Sequence, residues 1–309
     1  MFQSPTGRSG MYRMIVRAGA TTAAVAAAAL GMGGCGDDDT KTTSTATGAV
    51  AADAKVAASV PAAVKSKGTI VVASDATYAP NEFIAPNGKT VIGMDADLAK
   101  ALAATMGLKA RVVNATFDSI LPGLTAKKYD LGMSSFTDTK EREQTVDFVT
   151  YFSAGTSFFV KTDGPAITAL GDLCGHEVAV EKGTTQADDA SAQGKKCETA
   201  GKKAPKVLVF PDQNGANLAL SSGRADVSMA DSPVAAYQVK RSGGAFKLSG
   251  DSYGTAPYGI ALDKGSKLVE PLLAALKVLM ADGRYKAILA KWGVSPGAIT
   301  DPEINGATS

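Results

Sequence analysis

Catalysis leaves recognisable combinations of side chains in a sequence, and few are found here. The chain holds one histidine, His176, within Cys174-Gly175-His176. A Ser-His-Asp or Cys-His site would need that ring beside a nucleophile, and nothing around it marks one; the simpler reading is a surface turn. Neither G-x-x-x-x-G-K-[ST] nor a G-x-G-x-x-G after a strand is present, so no phosphate cradle is expected. The three cysteines, Cys35, Cys174 and Cys197, are too widely spaced for a zinc ribbon or a redox C-x-x-C. Carboxylates are plentiful, but none is paired at a spacing that predicts acid–base work. The expectation is a protein that is not an enzyme and has no metal and no cofactor.

Composition narrows the remaining classes. The 309 residues are 45% hydrophobic and 20% charged, ordinary values for a folded chain. A formal net charge of +2 is too small a bias for a nucleic-acid partner. The N-terminus reads as an export signal over residues 1–34. Arg8, Arg13 and Arg17 precede an Ala-rich apolar run from Ala18 to Leu30, and small residues lead to Cys35. The run is short of the ~20 residues a membrane-spanning helix needs. Met11 and Met14 are alternative start positions. Residues 36–67 carry few large apolar side chains and are expected to form a flexible tether.

The elements that must position any site begin at Thr69. Thr69 to Ala73 reads as a buried strand. Leu98, Leu102 and Met106 mark one helix face, closed by Gly107, and Arg111 to Val113 reads as a second strand. Strand, helix, strand implies a parallel pair. The pattern returns with strands at 177–180 and 206–210 around a polar helical segment. Two helical stripes end the chain, one with Leu272, Leu273, Leu276 and Leu279, the other with Tyr285, Ile288, Leu289 and Trp292. Two α/β halves are therefore expected.

Several ordered segments resemble one family. Asp75 to Pro80 follows the first strand, and Gly93 to Ala99 opens the first helix. Phe117-Asp118-Ser119-Ile120-Leu121-Pro122-Gly123-Leu124 is followed by Lys128-Tyr129-Asp130. Ser134 to Arg142 leads into Val146-Asp147-Phe148. Lys182-Gly183-Thr184-Thr185-Gln186, Gly223-Arg224-Ala225-Asp226, Asp231, Tyr258-Gly259-Ile260-Ala261 and Lys291-Trp292-Gly293 complete the set. In this order they resemble the polar amino-acid-binding proteins of ABC importers, over roughly residues 68–295. Leu30 to Cys35 likewise resembles a bacterial lipobox, with Cys35 as the lipidated first residue of the mature protein.

The resemblance implies an α/β, two-lobed, periplasmic-binding-protein-like fold of class II, with two hinge strands and ligand in the interlobe cleft. Lobe 1 would comprise 68–153 and 257–295, lobe 2 residues 154–256, and 296–309 a C-terminal tail. It also implies roles: Arg142 for the ligand α-carboxylate, Asp231 for the α-ammonium, and Ser134, Ser135 and Thr137 as contacts near the carboxylate. Thr184 and Thr185 would be contacts from the second lobe, Tyr78 and Phe117 aromatic walls, and Asp75 a neighbour of the ligand side chain. Asn81 stands where the family often has an aromatic residue. The implied partners are a free amino acid, the membrane subunits of an ABC importer, and the outer face of the membrane through the N-terminal lipid; the protein is expected to be a monomer.

The physics fits those roles. A free amino acid is a zwitterion, and Arg offers a planar fork that matches a carboxylate in two places. Arg142 follows Asp138 and Thr139, either of which can cap a helical turn, and Gly183 to Gln186 reads as a second helix start with free N–H groups. Simpler readings stand beside each role. Arg142 as a surface ion pair, Asp231 as an N-cap, Tyr78 and Phe117 as core aromatics and Asp75 as a turn residue all remain open. Asp75, Asn81 and Glu82 favour a ligand side chain that donates hydrogen bonds, so Gln, Lys, Arg or His over Glu or Asp. Two other functions compete: an enzyme on the same fold, such as a dehydratase or cell-wall lytic enzyme, and a ligand-sensing module. Export to an oxidising compartment, with Cys35 set aside, predicts a Cys174–Cys197 disulfide.

Overall fold

Residues 51–308 are described by the computed structural model. Two short helices come first, α1 (Ala54–Ser59) and α2 (Ala62–Lys67). They correct the expectation of a tether reaching residue 67. Asp53 caps α1 by accepting from the Val56 amide at 2.9 Å, and Val56 and Val60 are buried in the core. The segment is poor in large apolar residues, but these two are buried in the core and Val64 packs against it.

The first α/β half contains β1 (Thr69–Ser74), β2 (Thr77–Tyr78), β3 (Glu82–Ile84), β4 (Val91–Ile92), α3 (Met94–Thr105), β5 (Lys109–Asn114), α4 (Phe117–Thr125) and β6 (Leu131–Gly132). β1 and β5 pair in parallel across α3, as the strand–helix–strand pattern requires. Met94, Leu98 and Leu102 on α3 are fully buried against the sheet. β2, β3 and β4 form a separate small antiparallel sheet.

A single strand of 16 residues, β7 (Val146–Lys161), then leaves this half. At ~3.3 Å per residue it is about 50 Å long, more than one lobe needs. The second half contains β8 (Glu177–Glu181), α5 (Thr185–Thr199), β9 (Lys206–Phe210), α6 (Gln213–Ser221), β10 (Val227–Asp231) and α7 (Ser232–Arg241). The 18-residue β11 (Phe246–Asp263) returns antiparallel to β7, and α8 (Val269–Ala281) and α9 (Arg284–Trp292) close on the first half.

The main sheet runs β5-β1-β6-β11-β7-β10-β8-β9. β7 and β11 therefore connect two sheet halves, each with its own apolar core. Their pairing loses register between Ser249 and Tyr253, between Tyr253 and Ala256, and between Tyr258 and Gly259. At the middle of this stretch Gly155 lies so close to β11 that a Cβ would sit 2.7 Å from the Tyr253 carbonyl oxygen. A disulfide ties Cys197 on α5 to Cys174, with Cα atoms 5.7 Å apart.

The chain end is not a loose tail. Ile304 bridges Val149, and the Thr150 amide donates to the Glu303 carbonyl at 2.9 Å. The Asn305 side chain accepts from the Phe148 amide at 2.8 Å. This segment covers the free edge of β7 in the first half. Cys35 and the export signal lie outside the described residues. No helix among the described residues is long and apolar enough to cross a membrane.

Candidate functional site

Between the two halves lies a cavity of about 300 Å³, mouth included. All ten residues singled out above line it: Asp75, Tyr78, Phe117, Ser134, Ser135, Thr137, Arg142, Thr184, Thr185 and Asp231. Glu82, Glu181 and Gln186 line it too.

Arg142 opens a short 3-10 turn, Arg142–Gln144, and its amide donates to Thr139 Oγ1 at 3.2 Å. Its guanidinium donates through Nη1 to the Thr137 carbonyl at 2.8 Å and through Nη2 to the Gly183 carbonyl at 2.9 Å. Phe117 and Phe136 stack 4.4 Å apart, and the guanidinium lies 5.6 Å from each ring centre. Burial lowers its pKa, yet arginine keeps its charge at any working pH. The geometry spends only part of the fork: the remaining N–H groups are available to an anion.

Asp231 occupies the N-cap position of α7 but makes no capping bond with its side chain. Its carboxylate instead accepts from Gln186 Nε2 at 2.7 Å and Tyr258 Oη at 2.7 Å. Its own amide donates to Tyr78 Oη across the cleft at 2.8 Å. Burial raises its pKa, opposed by those hydrogen bonds and by the charge of Arg142.

Asp75 is more than a turn residue. It accepts from Thr77 Oγ1 at 2.7 Å and from the Phe117 amide at 2.9 Å. The second bond caps α4, whose own N-cap, Thr116, makes no side-chain capping bond. An acid there also meets the positive end of the helix. Tyr78 and Phe117 are both buried residues and cavity walls, so the two readings of them coincide.

Ser135 sits at φ 52°, which turns its backbone under the cavity. Its amide donates to Asp95 Oδ2 at 2.9 Å, and its hydroxyl donates to Glu82 at 3.2 Å. Ser134 accepts from the Asp75 amide at 2.8 Å. Asn81 is fully buried and donates to Ser135 Oγ at 2.9 Å, so it braces the floor behind the cavity rather than forming a wall. Glu82 lies against Asp95. Burial and that neighbour raise it well above the usual carboxylate range, and burial holds Asp95 up at about 6.

From the second half, Thr184 caps α5 by accepting from the Ala187 amide at 3.2 Å. Gly183 precedes it at φ 78°, with a would-be Cβ 3.2 Å from Asp118 Cβ. A side chain there would be strained and would hold the halves apart.

Sequence reasoning left out three lining residues. Gln186 lies in the Gly183–Gln186 helix start, whose free N–H groups are its more evident feature. Glu82 was noted only as a hint about the ligand. Glu181 ended an apolar strand, and a lone acid immediately before a helix start was the signal available.

Two α/β halves, two connecting strands and a polar cavity between them define a two-lobed binding protein. The chain belongs to the bacterial extracellular solute-binding proteins, family 3, whose family model matches residues 70–295. It is 34% identical over 252 residues to an arginine-binding protein of Corynebacterium glutamicum, covering 81% of this chain and 83% of that one. It is 31% identical over 223 residues to ABC transporter arginine-binding protein 1 of Escherichia coli, covering 70% and 87%. Among solved structures, an ancestral arginine-binding protein bound to arginine superposes with a TM-score of 0.67 at 36% identity, covering 73% of this chain and 98% of that one.

Proposed function

We propose that this protein captures a free amino acid with a positively charged side chain, arginine above all, and delivers it to an ABC importer. One observation carries the reading. The cavity wall holds the Arg142 guanidinium and four carboxyls, those of Asp75, Glu82, Glu181 and Asp231. Arg142 and Asp231 suit the carboxylate and ammonium of a zwitterion. The remaining acids crowd one another, and the charge that would relieve them is a cation on the ligand. The arginine-binding relatives support the same choice.

The two lobes are assigned as 68–153 with 257–295, and 154–256, with hinges near Thr150–Thr156 and Ser252–Tyr258. The register breaks in β7 and β11 support this position. A ligand touching both lobes favours the closed form and so drives closure. Calorimetry with arginine, lysine, histidine, glutamine and glutamate tests the assignment. Arginine is expected to bind most tightly and glutamate not at all; a protein that binds none of the five would end it.

The protein is proposed to act as a monomer outside the cytoplasm, held to the membrane by lipid on Cys35. Stable retention needs more than one acyl chain. Cys35→Ala is expected to release the protein into the medium or periplasm, and a wild type found wholly soluble would argue against the anchor. Binding rather than turnover is the proposed role, because the cavity acids are engaged in holding residues and ligand charge. Product formation from any of these amino acids would favour the enzyme reading.

A further inference from the structure

Three of the four cavity acids are already engaged. Asp75 holds Thr77 and the Phe117 amide, Glu82 receives Ser134 and Ser135, and Asp231 receives Gln186 and Tyr258. Glu181 differs. It ends β8 with 3% exposure and lines the cavity from the second lobe. Its Oε1 is buried without a hydrogen-bond partner among the described residues. Asp75 from the end of β1, Asp118 from α4, Asp212 at the start of α6 and Asp231 from β10 all bear on it. Neither Arg142, which donates to two carbonyls, nor Lys182, which pairs with Asp118 at 2.8 Å, donates to that Oε1. A buried acceptor with no donor, ringed by acids and facing a cavity, is costly unless something arrives to satisfy it.

We propose that Glu181 is the second lobe's contact for the ligand's cationic side chain, and that loading such a ligand expels a proton from the cavity to solvent. The proposal rests on the amino-acid reading above. Burial, then the charges of Asp75, Asp212 and Asp231, raises Glu181 well above the usual carboxylate range, so the unloaded site favours the neutral acid. A guanidinium or ammonium donates to the carboxylate form and brings the missing positive charge. The acid proton then leaves as a hydrated proton taken up by buffer. A neutral side chain brings no charge and leaves the proton in place. Affinity for arginine therefore falls toward acid pH, where the free site holds its proton more firmly, and levels off above the pKa of Glu181 in the free protein.

Isothermal calorimetry of arginine binding to the purified protein at about pH 7, in phosphate and in Tris, reads the proton directly. The expected result is a binding enthalpy that differs between the buffers. In Glu181→Gln the difference disappears and arginine affinity falls at least about tenfold. Glu181→Met, close in size and without charge, repeats the test should the first variant fold poorly. Equal enthalpies in the two buffers for the wild type, or a buffer difference that survives both substitutions, would overturn the proposal while leaving arginine binding intact. A wild type that binds no arginine, lysine or glutamine would overturn the amino-acid reading, and this proposal with it.

Discussion

Arg142 in one lobe donates to the backbone carbonyl of Gly183 in the other, at 2.9 Å. The residue assigned to the ligand carboxylate is thus also a latch between the lobes. Lys182, beside Gly183, adds an ion pair to Asp118, and the Gln213 amide donates to Thr77 Oγ1 at 3.2 Å. Ligand recognition and lobe closure share one side chain.

Removing that side chain should affect both. Arg142→Ala is expected to weaken amino-acid binding by more than about tenfold, because a buried carboxylate without its partner costs roughly 2–5 kcal/mol. Arg142→Lys should recover only part, since an ammonium cannot span Thr137, Gly183 and a carboxylate as a planar fork does. Calorimetry measures the affinity, and small-angle scattering with and without ligand measures closure. Wild-type affinity in Arg142→Ala would remove the site assignment.

Asp231 should matter through its charge. Asp231→Asn keeps the shape and can still accept from Tyr258, yet loses the attraction for an ammonium. A drop of at least about tenfold is expected. Ligands with a blocked α-amine should bind the wild type poorly and lose little further on Asp231→Asn. Additive losses would place the ammonium elsewhere.

The disulfide should stabilise the second lobe without shaping the cavity. Cys174 and Cys197 are 23 positions apart, and closing such a loop is worth roughly 3 kcal/mol. Replacing both by serine should lower Tm by on the order of 6–12 °C while affinity changes little. Two free thiols under non-reducing denaturation would show the bond is absent in the native protein.

Asp138 gives a pH signature. It is buried, accepts from the Gly306 amide at 2.9 Å through Oδ2, and its Oδ1 has no hydrogen-bond partner among the described residues. Burial, then the charge of Glu143, pushes it up to about 7 from an ordinary 3.8. A carboxyl raised in the fold stabilises fully below its unfolded pKa, and that contribution is lost as pH climbs from about 4 through 7. Asp138→Asn should therefore gain in Tm relative to wild type on going from pH 5 to pH 8. A constant difference between the two proteins across that range would contradict the shift.

Much of this arrangement was legible in the residues. The 69–73 strand, the Leu98 face and the 111–113 strand announced a parallel unit because each is periodic and locally punctuated. The cavity residues were legible because their segments come in a recognisable order, from Asp75 to Asp231. What escaped was non-local. Val56 and Val60 look insufficient for a core until the surface that receives them is known. Glu181 looks like the end of a strand, and its isolation depends on four acids brought together by the ends of β1 and β10 and the starts of α4 and α6. Asn81, standing where the family often has an aromatic residue, turns inward to Ser135, a partner 54 positions away.

The pairing of Glu303 to Asn305 with β7, and the burial of Val56 and Val60, bear on how much polypeptide is needed to obtain the domain. The stretch that matches the family, residues 70–295, is shorter than the unit that folds. A gene trimmed to it would bare the amide of Thr150, strip Asn305 from Phe148 and Asp147, and remove Val56 and Val60 from the core of the first half. The natural cut points are nearer Asp53 and Ala307. A fusion partner or reporter is best joined outside them, where it burdens neither the strand that must bend nor the cavity that the bend closes.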